Sequence, residues 1–280
     1  MVKKSSIIIG KGVRAATRVR GGGSALPGLA VEKLDKNFLK KALGKLPQGV
    51  VIISGTNGKT TTAKIVTELL DSQGYRVFTN STGSNYKRGV ISALITEMDL
   101  GGKLNADIAV LELDEAHAMH FISEVKPRYA LLLNVMRDQL DRFGEIDTTA
   151  NLLRQIAEAT TETVVLNRED KRVAKIADQV DQNIHFYGYD QSLRPMFPSD
   201  DDLYGKTQAP SAYTAGVVLR SVKGQTAKLK IGPKDYEVDL KLNGIYNIYN
   251  AAGAVALVQA ICGEKLDTDK LIGQLSKVTA

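Results

Sequence analysis

At 280 residues, with 43% hydrophobic and 24% charged side chains, the chain has the composition of a globular protein with one large core or two smaller ones. The net charge is +6, and residues 1–46 carry basic side chains from Lys3 to Lys45 against only Glu32 and Asp35. No apolar run approaches the ~20 residues that span a bilayer, and the apolar stretch after Ser6 ends at Lys11, too short for an export signal. A single cysteine, Cys262, excludes an internal disulfide and a cysteine-built zinc site, so no zinc is expected and the cytoplasm is the expected compartment. The basic segment suits anionic lipid head groups, nucleic acid or a polyphosphate, or is only a solvated helix. With 6% aromatic residues and no tryptophan there is no stacking platform, and nucleic acid is not expected as a partner.

Residues 5–20 predict a short basic helix, interrupted by Gly21–Gly23 and by Pro27 and Gly28, and residues 35–44 predict another. From Val50 the pattern changes to strands alternating with helices. The runs 50–53, 76–79, 108–113, 129–133 and 163–166 are short, apolar and rich in β-formers, as strands covered on both faces are. Residues 61–71 place Ile65, Val66, Leu69 and Leu70 on one side of a helix. The segment 190–213 holds Pro195, Pro198, Pro210, Gly205 and three successive aspartates, and reads as a long loop or insertion. Alternation over 217–240, with a turn at Gly232-Pro-Lys-Asp235, predicts a β-hairpin with a further strand beside it. Residues 247–261 and 267–278 return to helix, the second with Asp267 as a good cap. The fold class that follows is α/β, a mostly parallel, doubly wound sheet with helices on both faces plus a small antiparallel β-hairpin subdomain.

Residues 54–62, SGTNGKTTT, stand between a predicted strand and a predicted helix. Gly55 and Gly58 let the backbone bend so that successive N–H groups gather on phosphate oxygens, and the following helix adds the positive end of its dipole. Lys59 can reach the β- and γ-phosphates, and Thr60 offers a hydroxyl to Mg²⁺. The general phosphate-loop pattern wants glycine at position 53, where this chain has Ile53.

The variant with that glycine missing, GTNGKTT over 55–61, resembles the ATP loop of the Mur ligase superfamily. Residues 134–145, NVMRDQLDRFGE, look like the signature of the MurT branch, the ligase subunits of lipid II isoglutaminyl synthase. Residues 111–115 (LELDE) resemble the acidic strand end of that family, residues 244–250 (GIYNIYN) its G-x-[HF]-N-x-x-N element, and the entry at Ala25–Gly28 fits as well. The resemblance implies ATP and Mg²⁺ as cofactors, with Gly55, Thr56, Asn57, Gly58, Lys59, Thr60 and Thr61 around the phosphates. It gives Lys59 and Glu112 catalytic roles, Thr60 and Glu112 the metal, Asn247 the adenine contact and Asn250 the closure of that helix start. The reaction implied is ATP-dependent amidation of the D-glutamate α-carboxylate of lipid II through an acyl phosphate, in cell-wall synthesis. The partners implied are a glutaminase subunit, GatD, that supplies ammonia, and lipid II at the inner face of the membrane, where basic side chains favour approach to anionic head groups. It divides the chain into a basic helical segment, 1–48, and a central ATP-binding domain, 49–280, in which 190–241 forms the loop insertion and hairpin. A carboxy-terminal ligase domain is expected beyond Ala280, so the chain as it stands is expected to bind nucleotide and turn over poorly.

Read without the resemblance, Glu112 is either a metal ligand or a surface carboxylate, clustering with Asp114 and Glu115 favouring the metal; Asn247 is either a ligand contact or a helix cap. Many Mur ligases have histidine where this chain has Gln139, and a carbamylated lysine where it has Arg154, with no lysine between Lys126 and Lys171. Both differences separate it from the amino-acid-adding ligases, and no four-cysteine ribbon can occupy 190–213. The other readings are a folylpolyglutamate- or cyanophycin-type ligase, and a non-catalytic ATP-binding module. His117 and His120 have i, i+3 spacing but lack a third ligand, Asp200–Asp202 reads as a solvated loop tip, and Cys262 as a small core residue.

Overall fold

The computed structural model describes residues 2–19, 25–80, 86–136, 145–198 and 211–279. The apolar runs form strands β1 (Val50–Ser54), β2 (Val77–Thr79), β3 (Ile108–Glu112), β4 (Tyr129–Leu132) and β5 (Thr163–Asn167). Every residue of β1, β3, β4 and β5 is buried. Side chains alternate across the sheet, so Val51 and Ile53 enter one core while Val50 and Ile52 enter the other. That is why these strands read as continuous hydrophobic runs. A strand that the sequence analysis missed, β6 (Asn183–Tyr189), follows β5, and β7 (Val217–Lys223), β8 (Thr226–Ile231) and β9 (Lys234–Asp239) complete the series.

Among the described residues the strands make one nine-stranded sheet in the order β2-β3-β1-β4-β5-β6-β7-β8-β9. Pairing is parallel as far as β7 and antiparallel from β7 to β9. The predicted hairpin is present and continues the edge of this same sheet. Its turn is tighter than the four residues read from the sequence: Ile231 pairs with Lys234, leaving Gly232 (φ 58°) and Pro233 as a two-residue connection. β1 lies between β3 and β4, which the chain reaches in opposite directions. The strand order reverses there, and the carboxyl ends of β1, β3 and β4 border the crevice that such a reversal opens.

Three amino-terminal helices, α1 (Lys4–Val19), α2 (Leu26–Leu34) and α3 (Phe38–Leu43), share one core with α5 (Lys87–Glu97), α6 (Glu115–Ile122) and α7 (Glu145–Ala159). Pro27 and Gly28 do not interrupt the chain as predicted; they lie in the first turn of α2. Proline is accepted there because its missing N–H would have no partner within the helix. Gly28 donates to Ser92 Oγ at 2.9 Å, and a Cβ in its place would stand 2.0 Å from the Arg88 carbonyl oxygen. The opposite face carries α4 (Lys59–Ser72), and, after the short α8 (Lys171–Ala174), α9 (Ile245–Cys262) and α10 (Thr268–Leu275). Asp267 caps α10 as predicted, accepting from the Lys270 N–H at 3.0 Å. Contrary to the reading that no apolar run approaches membrane length, residues 245–265 are long and apolar enough to cross a membrane, yet 72% of their 18-residue apolar window is buried inside the protein. Here α9 is a core helix. Cys262, at its end, is buried, and burial pushes its thiol up to about 11.

Candidate active site

The phosphate-loop sequence occupies the carboxyl end of β1, and long-range contacts hold its shape. Ser54 Oγ donates to the Leu113 carbonyl at 2.8 Å, tying the ends of β1 and β3 together. The chain then turns at Gly55 (φ 135°), where a Cβ would press on the Asn134 backbone at 2.9 Å. Asn134, the second residue beyond β4, grips the loop with both ends of its amide. Its Oδ1 accepts from Asn57 N–H and its Nδ2 donates to the Asn57 carbonyl, each at 2.9 Å. Its own carbonyl accepts from Thr56 N–H at 2.9 Å, and Thr56 Oγ1 accepts from Met136 N–H at 3.1 Å.

Gly58 follows in the left-handed region (φ 88°, ψ 0°) and caps α4. The first bond inside the helix runs from Thr62 N–H to the Gly58 carbonyl at 2.9 Å. The N–H groups of Lys59, Thr60 and Thr61 therefore lie at an open helix end, where an anion is favoured. Lys59 folds back over the loop: its Nζ donates to the Gly55 and Thr56 carbonyls at 2.7 and 3.3 Å and pairs with Asp114 Oδ1 at 3.1 Å. Thr60 is exposed.

Glu112 ends β3 directly beside Ile53. Glu112 is 4% exposed, and its buried Oε2 has no hydrogen-bond partner among the described residues. An orphaned buried carboxylate oxygen costs about 1–3 kcal/mol or more, so the position fits a hard cation. Its backbone is fixed by buried Asn80, which donates to the Glu112 carbonyl and accepts from the Glu112 N–H, both at 3.0 Å. The predicted acidic cluster does not form. Asp114 turns to Lys59, Glu115 opens α6, and no group of three or more His, Cys, Asp or Glu side chains converges among the described residues. His117 and His120 are exposed, the former packed on Tyr86 with ring centres 5.3 Å apart.

Beside the loop lies a cleft open to solvent. Asn134 and Asn250 form its border with the loop; Phe197, Tyr246 and Tyr249 give it an aromatic wall, and Asp170 with Arg172 a polar one. Asn250 stands in the second turn of α9, 6% exposed, with its Nδ2 2.3 Å from where a Gly58 Cβ would be. It packs against the phosphate loop, so it does more than close the helix start. Asn247 is half-buried, donates to the Asn243 carbonyl at 2.7 Å, and does not line the cleft. Burial pushes the Asp170 carboxyl up, opposed by the N–H groups of Val135, Val173 and Arg172, which it accepts. Through Val135 it braces the segment that carries Asn134. Where the resemblance places a carbamylated lysine, Arg154 pairs with Glu158 and donates to Asn151 Oδ1 at 2.8 Å. Gln139 and the rest of 137–144, like Asp200–Asp202, fall outside the described residues.

The structure thus brings together Gly55, Thr56, Asn57, Gly58, Lys59 and Asn250, with Glu112 one strand away. Sequence reasoning gave no role to Asn80 or Asn134, although each is a polar residue just past an apolar strand, where open α/β sheets bind ligands.

A mostly parallel sheet with a glycine-bent loop between an inner strand and a helix, opened at the strand-order reversal, defines an α/β protein of the phosphate-loop type. Within that class the family is given by comparison: residues 53–258 match the Mur ligase middle domain, and the chain belongs to the Mur ligase family. It is 29% identical over 266 residues to the MurT subunit of lipid II isoglutaminyl synthase from Streptococcus pneumoniae, covering 85% of this chain and 58% of that protein. To the MurT subunit of Staphylococcus aureus strain COL it is 28% identical over 280 residues, covering 92% and 63%. The fold is that of MurF ligase from Thermotoga maritima, solved in complex with ADP: TM-score 0.67, 21% identity, covering 90% of this chain and 53% of that one. The chain spans about 58–63% of the length of these MurT relatives.

Proposed function

We propose that this chain is the nucleotide-binding part of an ATP-dependent carbon–nitrogen ligase, the subunit that amidates the D-glutamate α-carboxylate of lipid II in peptidoglycan synthesis. The observation that carries the reading is the braced loop, with Lys59 folded over its mouth and the unpartnered Glu112 carboxylate on the adjacent strand. The names of the MurT relatives support the choice of reaction.

In this reading the open N–H groups of residues 59–61 hold the terminal phosphates of ATP, and the cleft walled by Phe197, Tyr246 and Tyr249 takes the nucleoside; Asn247, which follows Tyr246 in α9, would have to turn from the Asn243 carbonyl to contact adenine. Lys59 exchanges its carbonyl and Asp114 partners for phosphate oxygens and neutralises the charge that grows on the transferred phosphoryl group. Thr60 and Glu112 are the residues that would hold Mg²⁺, whose charge adds to that of Lys59. A substrate carboxylate oxygen attacks the γ-phosphorus, the bond to the β-phosphate oxygen breaks, and ADP leaves with that electron pair. Ammonia then attacks the acyl carbon, phosphate departs, and the nitrogen loses a proton to give the amide. A glutaminase partner, GatD, supplies the ammonia, and the protein works in the cytoplasm at the inner membrane face.

The test has two arms. ATP with Mg²⁺ at 100 times its Kd should stabilise the chain by about 2.7 kcal/mol, and Lys59→Ala should abolish most of that shift. The chain with a glutaminase, glutamine, ATP and lipid II should give D-isoglutamine by mass spectrometry, at the low rate expected of the nucleotide-binding part alone. Incorporation of an amino acid instead would move the chain to another Mur-type reaction, and stabilisation unaffected by Lys59→Ala would refute the site.

A further inference from the structure

We propose that the outer face of α1 is an interfacial helix that seats the chain on an anionic lipid surface. The inference concerns where the chain sits and stands independently of the ligase reading. α1 is fixed from within by Ile7, fully buried, and by Gly10, where a Cβ would stand 2.9 Å from both Ile95 Cδ1 and Val31 Cγ2. The helix thereby lies flat along α2 and α5. Its other side stays uncovered, and two neighbouring β-branched residues stand out there: Ile8 is 59% exposed and Ile9 41%.

Scattered exposed apolar residues are ordinary on a globular surface. These two are adjacent, and the same face continues through Gly12, Ala15 and Ala16, all exposed and all small. Nothing bulky would hold a flat surface away from them. Exposed cations border the face at Lys3, Lys4 and Arg18, the half-buried Arg14 stands further round on the Ile7 side, and the sixteen residues of α1 include no acid. The acids of the neighbouring segment are already engaged: Glu32 pairs with Lys87 and Arg88, and Asp35 with Lys41. The positive charge around the isoleucines is therefore left for an outside partner.

Charge complementarity requires that partner to be anionic, and the apolar centre of the face requires that it accept hydrocarbon. A polyanion such as nucleic acid meets only the first condition. A bilayer with acidic head groups meets both, with the isoleucines entering the head-group boundary and the cations remaining at the phosphates.

Flotation of the 280-residue chain with phosphatidylcholine vesicles, with or without about a quarter phosphatidylglycerol, tests this. Binding to the anionic vesicles should exceed binding to the neutral ones, and should weaken with salt. Ile8→Ser with Ile9→Ser should lower the partition coefficient about tenfold or more, and Arg14→Gln with Arg18→Gln roughly fivefold for each charge removed. Both residues of the first pair are exposed, so the melting temperature should hold. Since the chain has no tryptophan, Ile8→Trp supplies a single indole that can be excited apart from the tyrosines, and its fluorescence should shift to the blue on anionic vesicles. Wild type that binds neither vesicle, full binding after loss of both isoleucines, or an unshifted tryptophan spectrum would overturn the proposal. So would a dimer in solution that the isoleucine substitutions dissolve, since the face would then belong to a second copy of the chain.

Discussion

Gly58→Ala probes the contact on which the shape of the phosphate loop depends. Gly58 has φ 88°, and forcing an L-residue there costs about 1–2 kcal/mol in backbone strain alone. The new methyl would also stand 2.3 Å from Asn250 Nδ2, 3.1 Å from its Cγ and 3.4 Å from its Oδ1. Asn250 is 6% exposed inside α9 and cannot swing into solvent. The neighbour must move by about an ångström, and overpacking of that kind adds about 1–3 kcal/mol. The single substitution should therefore destabilise the chain by roughly 2–5 kcal/mol and weaken nucleotide binding, because the loop and the helix end move together.

The two contributions separate in a double-mutant cycle. All three of the nearest atoms to the added Cβ belong to Asn250, so in an Asn250→Ala background the clash vanishes and only the backbone strain remains. Urea denaturation of the four proteins, compared at a common slope, should give a coupling of about 1–3 kcal/mol, with the double variant more stable than the sum of the singles predicts. Costs that add within about 0.5 kcal/mol would refute the packing of α9 on the loop, and with it the account of Asn250 as a loop brace.

Glu112→Gln removes the charge from an unpartnered buried carboxylate, so the chain without nucleotide should keep its stability or gain some. The Mg²⁺-dependent part of ATP stabilisation should disappear in thermal-shift titrations; an unchanged Mg²⁺ dependence would take Glu112 out of the metal site. Asp107 offers a pH test away from the site: its hydrogen bonds from the Arg76 guanidinium and backbone hold its carboxyl down from 3.8 to about 2. A depressed carboxyl stabilises the fold above its ordinary value and loses that contribution as the pH falls through the folded one. Asp107→Asn should accordingly melt lower than wild type above about pH 4, with the gap closing towards pH 2, and the effect should be small because the pair is at the surface. A gap of constant size across that range would assign it to packing instead of charge.

What could be read from the sequence was what local chemistry dictates. β1, β3, β4 and β5 are covered on both faces, which leaves apolar runs with no competing interpretation. Gly55 and Gly58 marked the loop because only a backbone that turns through positive φ places a lysine and open N–H groups at one point. β6 escaped notice because its exposure alternates from Asn183 to Phe186 and it contains Gly188, so it shows neither a continuous apolar run nor a clean strand end. α2 escaped because Pro27 and Gly28 signal a break in isolation. Only the approach of Arg88, sixty residues away in the chain, turns Gly28 into a packing position.

The site divides along the same line. Lys59 and Glu112 declared themselves through neighbours in sequence, whereas the residues that hold them in place are asparagines contributed by distant strands and helices. Asn134 reaches Asn57 across 77 positions and Asn80 reaches Glu112 across 32, and each uses both ends of an amide to replace a backbone pair. An amide is suited to that task because it donates and accepts at once without adding charge. A carboxylate at either position would lack the donor, and at Asn134 it would also put negative charge against the loop proposed to take phosphate. Neutral amides brace the loop without adding a carboxylate to it, so the only charge set against the Lys59 ammonium among the described residues is Asp114, which it can exchange for phosphate at the open end of α4.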